Sequence, residues 1–324
     1  GLTINAATGE ITGTIDNSAS QGGTGGLHTV VITATDGAGA TATQSFTWTV
    51  TNPVPVANDD SVTTLEDTAV SGNVLTGSTN GHSADTDPDG DDLHVVRFTV
   101  EGNTYSAGST ALISGGTLQL NASGAYTFTP SANWNGTVPT ISYVISDGEG
   151  GVDTGALNIT VTPVNDQPTV PSNLNYVTSG IEDQGPPTNG SFGQTVGQTG
   201  FDVDGNEVGV AFVSPLQSTT FGTAWYSLDN GTTWNNLTTK LATASETNAF
   251  LLSSTARVYF QGNLNAAGTL GTATVRTWDG SDGGTSGTYK NISALQGASG
   301  AYSTNTTSFN MGVTAVNDAP VNTV

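Results

Sequence analysis

The chain has 324 residues, of which 27 are acidic and five are basic, so its net charge is −22. This balance argues against nucleic acid and anionic membrane surfaces as partners, because like charges repel. Cysteine is absent and no run of about 18 apolar residues occurs, which excludes disulfides, thiol catalysis and membrane insertion as a helix. The length predicts two or three domains. Since the chain begins without methionine or a signal pattern, we expect a fragment of a longer protein.

The composition is typical of short strands and tight turns. There are 43 glycines, only 10% of residues are charged, and threonine, valine, serine and asparagine are frequent. Strands favour β-branched side chains, whereas glycine and asparagine favour turns. The sequence therefore predicts an all-β fold.

The first predicted elements form a hairpin near the start of the chain. Residues 29–35 and 42–50 are rich in β-branched and aromatic residues, and they flank the turn sequence Asp36-Gly37-Ala38-Gly39. The same arrangement recurs at 141–146 and 156–162, around a turn from Asp147 to Gly151. Because the second hairpin closes a predicted domain, we interpret residues 1–52 as the C-terminal half of a β-sandwich, truncated at its start.

Acidic turn motifs recur in a fixed order along the rest of the chain. Glu66 and Glu182 are 116 residues apart, and Asp87 and Asp202 are 115 residues apart. The first copy reads Asn58-Asp59-Asp60, Glu66-Asp67, Asp87-Pro88-Asp89-Gly90 and Asp147-Gly148, and the second reads Asn165-Asp166, Glu182-Asp183, Asp202-Val203-Asp204-Gly205 and Asp279-Gly280. A repeat of this length marks whole domains, because solenoid repeats are shorter. We therefore predict one domain at 53–163 and a larger one at 164–324.

Three stretches resemble known families. The segment from Gly1-Leu2-Thr3-Ile4 to Gly13-Thr14 is similar to the middle of Ig-like, dystroglycan-type cadherin-like domains. Residues 53–163 resemble the cadherin-like repeats of giant Gram-negative surface adhesins, through the acidic motifs above and through Phe128-Thr129-Pro130, Asn133-Trp134-Asn135-Gly136 and Tyr143-Val144-Ile145-Ser146. Residues 164–324 resemble the larger sandwich modules of such adhesins. The resemblance implies tandem antiparallel Ig/cadherin-like β-sandwiches in a linear array, in a type I-secreted (RTX) protein at the bacterial cell surface.

The acidic motifs suit Ca²⁺, which takes six to eight hard oxygen ligands. Like charges this close would oppose folding unless a cation neutralises them. By the resemblance, each joint between domains gathers its ligands from a Glu of the upper domain, from the Asn-Asp linker, and from the Asp-x-Asp and Asp-Gly turns of the lower domain. The implied ligands are Asn58, Asp59, Asp60, Asp87, Asp89 and Asp147 at the first joint, Glu66, Asn165, Asp166, Asp202, Asp204 and Asp279 at the second, and Glu182 at the start of a third. The alternative is that these residues only form turns and keep the surface soluble.

Catalytic motifs are missing from the sequence. The three histidines lack zinc-ligand spacing, and there is no Gly-x-Ser-x-Gly or phosphate-binding Gly-Lys-Ser/Thr motif. With so many acids, some pair will always match the spacing of glycosidase carboxylates, so such a pair is no evidence of glycoside hydrolysis. We therefore expect a protein that is not an enzyme.

The last domain contains aromatic residues with two possible roles. Ser227-Leu228-Asp229-Asn230-Gly231-Thr232-Thr233-Trp234 resembles the sialidase Asp-box, which in that family is a structural hairpin and not the catalytic site. Trp225, Tyr226 and Trp234 could form a platform for a sugar or peptide, or they could belong to the core. Both interpretations stay open from the sequence.

Together these patterns predict the extender region of a large bacterial adhesin. Ca²⁺ would bind at the joints and hold neighbouring domains of the same chain in a stiff rod. The alternative is that the third domain is a Ca²⁺-dependent adhesive module that binds a surface glycan or peptide.

Overall fold

The computed structural model describes residues 1–22, 25–77, 81–170, 193–197, 200–217, 222–264, 266, 268–297, 299–315 and 317, together with the backbone of 176–181; at 269–270 it also describes the backbone alone. Strands make up 47% and helices 4% of the described residues, which confirms the all-β class. The described part contains no helix with the length and apolarity needed to cross a membrane. Contacts divide the chain into two units, Gly1–Pro163 and Val164–Val324, and each is described by itself.

In the described part of the first unit there are fourteen strands and one short 3₁₀ helix, Asn17–Gln21. In chain order, the strands are β1 Leu2–Ile4, β2 Ile11–Gly13, β3 Leu27–Thr35, β4 Thr41–Thr49, β5 Asp60–Leu65, β6 Val70–Asn73, β7 His94–Val100, β8 Asn103–Ser106, β9 Thr110–Ile113, β10 Gly116–Leu120, β11 Ala125–Pro130, β12 Gly136–Thr137, β13 Ile141–Ser146 and β14 Val152–Thr162.

The segment before residue 52 consists of two hairpins without a closed core. Strand β1 pairs with β2, and β3 pairs with β4 over nine residue pairs. The β3–β4 hairpin is the one that the sequence predicted at residues 29–50. Its turn forms because Asp36 Oδ1 accepts hydrogen bonds from the backbone N–H of Ala38 and Ala40, and Gly39 supplies the left-handed residue at φ +89°. Among the described residues of this segment no apolar side chain is buried.

Residues 52–163 form a complete two-layer sandwich. One sheet has the order β6-β11-β10-β9, and the other has the order β12-β14-β13-β7-β8, with β5 added beside β14. Every second residue of β11, β13 and β14 points inward, so each of these strands contributes one mostly apolar face, whereas β5 buries Asp60 and Thr64 together with Val62. The core between the layers includes Phe98, Leu118, Phe128, Ile141 and Leu157, all fully buried.

The described residues of the second unit form ten strands and the short helix α1, which Asn236 caps by accepting from the Thr239 N–H. In chain order, the elements are β15 Tyr176–Ile181, β16 Gln194–Thr195, β17 Gly209–Phe212, β18 Gly222–Ser227, β19 Asn235–Asn236, α1 Leu237–Leu241, β20 Ala249–Leu252, β21 Arg257–Gly262, β22 Gly268–Trp278, β23 Tyr289–Lys290 and β24 Thr307–Thr314.

The six-stranded sheet of the second unit, β15-β24-β22-β17-β20-β23, is covered on both faces. One face packs Phe212, Phe250 and Phe309 towards the four-stranded sheet β16-β21-β18-β19. The other face carries a smaller cluster that includes Trp278 and Tyr302. Strands β17 and β20 are therefore buried at every residue. This explains why the sequence of each strand is an unbroken apolar run.

Among the residues that the structure describes, one strand pair of each unit is parallel, which the sequence did not predict. Strand β5 runs parallel to β14 over six residue pairs, and β15 runs parallel to β24 over six pairs. The other named strand pairs are antiparallel among the described residues. In both cases the pair joins the first strand of the sandwich to its last strand.

Candidate metal sites

In each of two Asp-Gly turns, the two oxygens of the aspartate carboxylate accept hydrogen bonds from different groups. Asp147 Oδ1 accepts hydrogen bonds from the backbone N–H of Glu149 and Gly151, and Asp279 Oδ1 accepts from that of Ser281. The second oxygen of each residue faces an asparagine amide. Asn52 Nδ2 lies 2.7 Å from Asp147 Oδ2, and Asn165 Nδ2 lies 3.1 Å from Asp279 Oδ2. Both carboxylates are buried.

The Asp87-Pro88-Asp89-Gly90-Asp91 loop of the first unit gathers three carboxylates. Asp87 Oδ1 accepts hydrogen bonds from the backbone N–H of Asp89, Gly90 and Asp91, which closes the loop on itself. One carboxylate oxygen from each of Asp87, Asp89 and Asp91 lies within 4.8 Å of the others. We call these three residues the Asp87 group.

The second unit repeats part of this arrangement at Asp202. Its Oδ1 accepts from the Asp204 N–H at 2.8 Å, as Asp87 Oδ1 accepts from Asp89. Asp204 Oδ2 in turn accepts from the backbone N–H of Asp166 at 2.8 Å. Asp202 is only 4% exposed, so its carboxylate is more deeply buried than that of Asp87. We call Asp202, Asp204 and Asp279 the Asp202 group.

Unsatisfied oxygens show that these residues fit a cation. Asp87 Oδ2, Asp89 Oδ1, Asp91 Oδ2 and Asp202 Oδ2 are each buried and have no hydrogen-bond partner. A buried carboxylate oxygen without a partner is costly, because it has lost its water and gained nothing in return. A divalent cation with oxygen ligands would satisfy all of these atoms, and the all-oxygen donor set matches the preference of Ca²⁺.

Electrostatics differ between the two groups. Desolvation would raise the pKa of Asp87, but hydrogen bonds from Asp89 and from the backbone of its loop hold that pKa below the usual value. The adjacent side chain of Asp87, together with desolvation, raises the pKa of Asp89. Burial raises the pKa of Asp202, and the nearby charges of Asp279 and Asp204 raise it further. Without a cation, the charged form of Asp202 is therefore disfavoured.

The sequence reasoning missed two neutral residues that contact the Asp87 group, Ser20 and Gln21, and a third, Asn52, that contacts Ser20 and Asp147. Ser20 Oγ lies 3.0 Å from Asp89 Oδ2 and 3.3 Å from Asn52 Oδ1, and the Gln21 side-chain amide contacts Asp91 Oδ1. Asn52 could have been found, because it follows the closing strand of a hairpin, as Asn165 does after β14. Ser20 and Gln21 belong to an ordinary polar turn and carry no such signal.

The predicted linker residues of the first joint lie elsewhere in the sandwich. Asn58 bonds through its backbone N–H to Asp85 Oδ1 at 2.7 Å, and Asp59 Oδ1 accepts from the Ala156 N–H. Asp60 is buried beside His82, with 3.3 Å between Asp60 Oδ1 and His82 Nδ1, and Tyr143 Oη contacts its Oδ2 at 3.3 Å. Among the described residues, these contacts hold Asn58, Asp59 and Asp60 within the sandwich and not at the Asp87 group.

The remaining predicted ligands divide between the units. Glu66 belongs to the first unit, where its Oε2 accepts from the Asn135 side chain at 3.3 Å. Asn165 and Asp166 precede the first strand of the second unit and bond to Asp279 and Asp204 there. Glu182 lies outside the described residues.

The three aromatic candidates of the second unit do not share one surface. Tyr226 is buried in the core, where its ring meets Phe250 edge-on at 5.2 Å. Trp225 and Trp234 are partly exposed, and their indole N–H groups donate to Gln261 and to the Gly231 carbonyl. In the Asp-box-like turn, Asp229 bonds to Ser227 and Thr233, so the turn is internally satisfied. These contacts favour a structural role for the motif.

Two families match parts of the chain. Residues 52–163 match the bacterial cadherin-like domain, and residues 1–51 match the family named "Putative Ig domain". Domains of these families are typically structural and extracellular in type, with roles in adhesion or as extenders, and cadherin-like domains generally bind Ca²⁺. No curated protein matches the chain in sequence.

Some solved structures are similar to the chain at low identity. The chain covers 98% of its own length and 51% of the extracellular cadherin domains 1–5 of protocadherin gamma B2, with 13% identity and a TM-score of 0.39. For mouse protocadherin-24 domains EC1–3, it covers 97% of itself and 86% of that chain, with 13% identity and a TM-score of 0.36. An endo-fucoidan hydrolase of glycoside hydrolase family 107 matches over 90% of this chain and 34% of its own, with 15% identity and a TM-score of 0.25. The chain thus spans about half the length of the first of these structures.

Proposed function

We propose that this chain is a calcium-stabilised extender segment of a larger secreted adhesin at a bacterial cell surface. The observation that supports this proposal is that both units contain an aspartate carboxylate in the same arrangement. In each unit an aspartate builds a loop with Oδ1 and leaves a buried Oδ2 without a hydrogen-bond partner, at Asp87 and at Asp202. Loops that only turned the chain would not need to bury unsatisfied oxygens twice.

The proposed role of Ca²⁺ is to neutralise these oxygens and stiffen the chain around them. In the first unit, Asp87, Asp89 and Asp91 would hold the ion. Residues 53–163 carry 13 acidic residues and one basic residue, so their own charge opposes compaction without a cation. In the second unit, Asp202, Asp204 and Asp279 would act in the same way. Extracellular modules of this kind bind Ca²⁺ at about 10⁻⁴–10⁻³ M, so the sites would fill outside the cell.

Contacts within the first unit support an effect of the ion on domain geometry. Ser20 and Gln21 from the segment 1–51 touch Asp89 and Asp91 of the cadherin-like domain, and Asn52 touches Asp147. An ion at the Asp87 group would bind at this contact. Its expected effect is to fix the segment against the domain that follows it.

A thermal melt in Ca²⁺ against chelator tests the proposal, with Mg²⁺ as the control for charge screening. Mg²⁺ prefers rigid octahedral sites and retains its water, so a true Ca²⁺ site should respond to it weakly. We expect a rise in Tm with Ca²⁺ that saturates and that Mg²⁺ does not reproduce. Equal melts in Ca²⁺, Mg²⁺ and chelator would overturn the proposal.

A further inference from the structure

A cavity of about 460 Å³ lies in the second unit, beside the turn that follows β22. Asn165, Ser281 and Asp282 line one part of it, and residues between 294 and 301 line the rest. A volume of this size is typical of small-molecule sites, which measure about 300–1,000 Å³. The carboxylates of the Asp202 group are not among its described lining residues, and neither is any basic or aromatic side chain. The cavity is therefore a distinct candidate site for a ligand.

Asp282 is fixed in the wall of this cavity by four hydrogen bonds. Its Oδ1 accepts from the Trp278 indole N–H at 3.1 Å and from the Gly284 N–H at 2.9 Å. Its Oδ2 accepts from the Tyr302 hydroxyl at 2.7 Å and lies 2.9 Å from Lys290 Nζ. Both oxygens are thus fully used, and the ammonium of Lys290 balances the negative charge. Asp282 gives the wall its shape and leaves the binding of a ligand to its neighbours.

The two amide side chains of the cavity have used their donors and kept their acceptors. Asn165 Nδ2 donates to Asp279 Oδ2 and to a backbone carbonyl, both at 3.1 Å. Gln296 Nε2 donates to Glu246 Oε2 at 3.1 Å and to a backbone carbonyl at 2.6 Å. Each amide has two N–H donors, so only its oxygen is left for a ligand. Donation to a carboxylate also polarises the amide, which makes that oxygen a stronger acceptor.

This chemistry selects a ligand that brings donors and positive charge. An ammonium group has three N–H donors and no acceptor, so it matches a wall whose amides offer only oxygens. A sugar would bring acceptors as well, and the aromatic faces that sugars favour are absent from the described lining. Residues 164–324 contain 11 acidic and four basic residues, so their field attracts cations. Ala294, Leu295 and Ala301 complete the wall with apolar surface for a methylene chain.

We propose that this cavity binds an alkylammonium group, which is a primary amine on an aliphatic stem. The ammonium donates to Asn165 Oδ1, to Gln296 Oε1 and to the Ser281 hydroxyl oxygen, and the stem lies against Leu295 and Ala301. A lysine side chain of another protein and a free diamine share this chemistry. The site adds a recognition function to the extender role and does not require Ca²⁺, so its failure would leave the proposed function intact.

NMR titration of the full chain tests the proposal, with the backbone amide signals of Ser281, Gln296 and Ala301 as the readout. The probes are cadaverine, for a free diamine, and Nα-acetyl-lysine amide, for a lysine side chain. We expect saturable shifts of these signals with at least one of the two amines. Whichever amine binds more tightly identifies the source of the ammonium group. Pentanol, glucose and sodium chloride at matched ionic strength should leave the signals in place.

A charge pair at Ala294 localises the binding. Ala294 is exposed and lines the cavity, so Ala294→Glu and Ala294→Lys change the local charge without disturbing the core. The glutamate should tighten amine binding by about three- to tenfold, and the lysine should weaken it by a similar factor. Ser308→Glu and Ser308→Lys are the matched controls, because Ser308 is exposed and is not part of the lining. Both should keep the parent affinity.

Three results would overturn the assignment. The first is the absence of saturable shifts with either amine. The second is an equal response to pentanol or to glucose, which would indicate an apolar or a sugar site. The third is amine binding with the same affinity in both Ala294 variants, which would place the amine on carboxylates elsewhere in the chain.

Discussion

The Asp87 group of the first unit and the Asp202 group of the second unit use the same atoms in different surroundings. Both leading aspartates bind their own loop with Oδ1 and leave a buried Oδ2 without a partner. Asp87 receives three backbone hydrogen bonds and keeps a lowered pKa, whereas Asp202 is 4% exposed and has a raised pKa because burial dominates. Loop closure therefore stabilises the charge of Asp87 without an ion, and the charge of Asp202 depends more on one.

The largest expected effect is the gain in the free energy of unfolding that Ca²⁺ gives at each group. Ordinary turns would show no such gain. Asn in place of Asp keeps an Oδ1 acceptor for the loop but loses the anionic ligand, so Asp87→Asn and Asp202→Asn should each remove the Ca²⁺-dependent gain of one group. At Ca²⁺ about 100-fold above the Kd, that gain is about 2.7 kcal/mol per site. Denaturant unfolding in Ca²⁺ and in chelator measures it. A gain that survives both substitutions would show that the ion binds elsewhere.

Asp85 tests whether burial alone is enough to raise the pKa of a carboxylate, as it does at Asp202. It is a buried carboxylate of the first unit that bonds to the Asn58 N–H, and burial followed by the charge of Asp60 raises its pKa to about 6. Since the folded pKa exceeds the usual 3.8, its contribution to stability falls as the pH rises from about 4 to about 6. In chelator, Asp85→Asn should therefore stabilise the protein by about 1–2 kcal/mol at pH 8 and by nothing at pH 3.5.

The control for this prediction is Asp92→Asn, because Asp92 is exposed. Urea melts at the two pH values give the difference. A gain that is equal at both pH values would contradict the assignment of the effect to Asp85 ionisation.

The sign of the metal-free effect should differ between the two leading aspartates. In chelator at pH 8, Asp202→Asn should stabilise the chain by about 1 kcal/mol, because it removes a buried charge whose pKa is raised. Asp87→Asn should not stabilise it, because the lowered pKa means that the loop favours the carboxylate. The contribution of Asp87 is present above the usual value of 3.8 and is lost as the pH falls below it, opposite to that of Asp202. Equal shifts of the urea midpoint in Asp202→Asn and Asp87→Asn would contradict the predicted difference between the two aspartates.

The smallest expected difference is in the free energy of unfolding that is lost when each linker asparagine is replaced. Asn52→Ala removes a 2.7 Å hydrogen bond to Asp147, and Asn165→Ala removes a 3.1 Å bond to Asp279. Both acceptors are carboxylates, so we expect a loss of about 1 kcal/mol at Asn52 and about 0.5 kcal/mol at Asn165. Chelator melts of the two variants, compared with Asn103→Ala at an exposed strand end, measure these losses. A larger loss at Asn165 would reverse the order derived from the distances.

Sequence patterns predicted the carboxylate loops well because the signal is local. Asp-x-Asp and Asp-Gly spell a loop in which the first carboxylate caps the following N–H groups, and Asp87, Asp147, Asp202 and Asp279 all do so. The Asn-Asp pattern was less informative at residue 58, because its partners, Asp85 and Ala84, are set by tertiary pairing. The role of Asp60 beside His82 and Tyr143 likewise depends on residues up to 83 positions away. The ligand assignment as a whole stays a prediction.

The fold class followed from composition, whereas the layer structure of the second unit did not. Unbroken apolar runs such as Gly209–Phe212 suit a strand buried on both faces, but they do not say what covers it. The covering cluster is built from residues 278–302, where Asp282 accepts from the Tyr302 hydroxyl at 2.7 Å and from Lys290 at 2.9 Å. Such contacts between turns cannot be derived from periodicity.

The parallel pairing of first and last strands has a mechanical consequence. Because β5 and β14 run in the same direction, as do β15 and β24, the chain enters each sandwich at one pole and leaves it at the other. Tension along the polypeptide then pulls the paired strands past each other, and all six residue pairs of the ladder bear the load together. An antiparallel terminal pair would instead open one hydrogen bond after another. Pairing of this kind suits a module that must transmit pulling forces without unravelling.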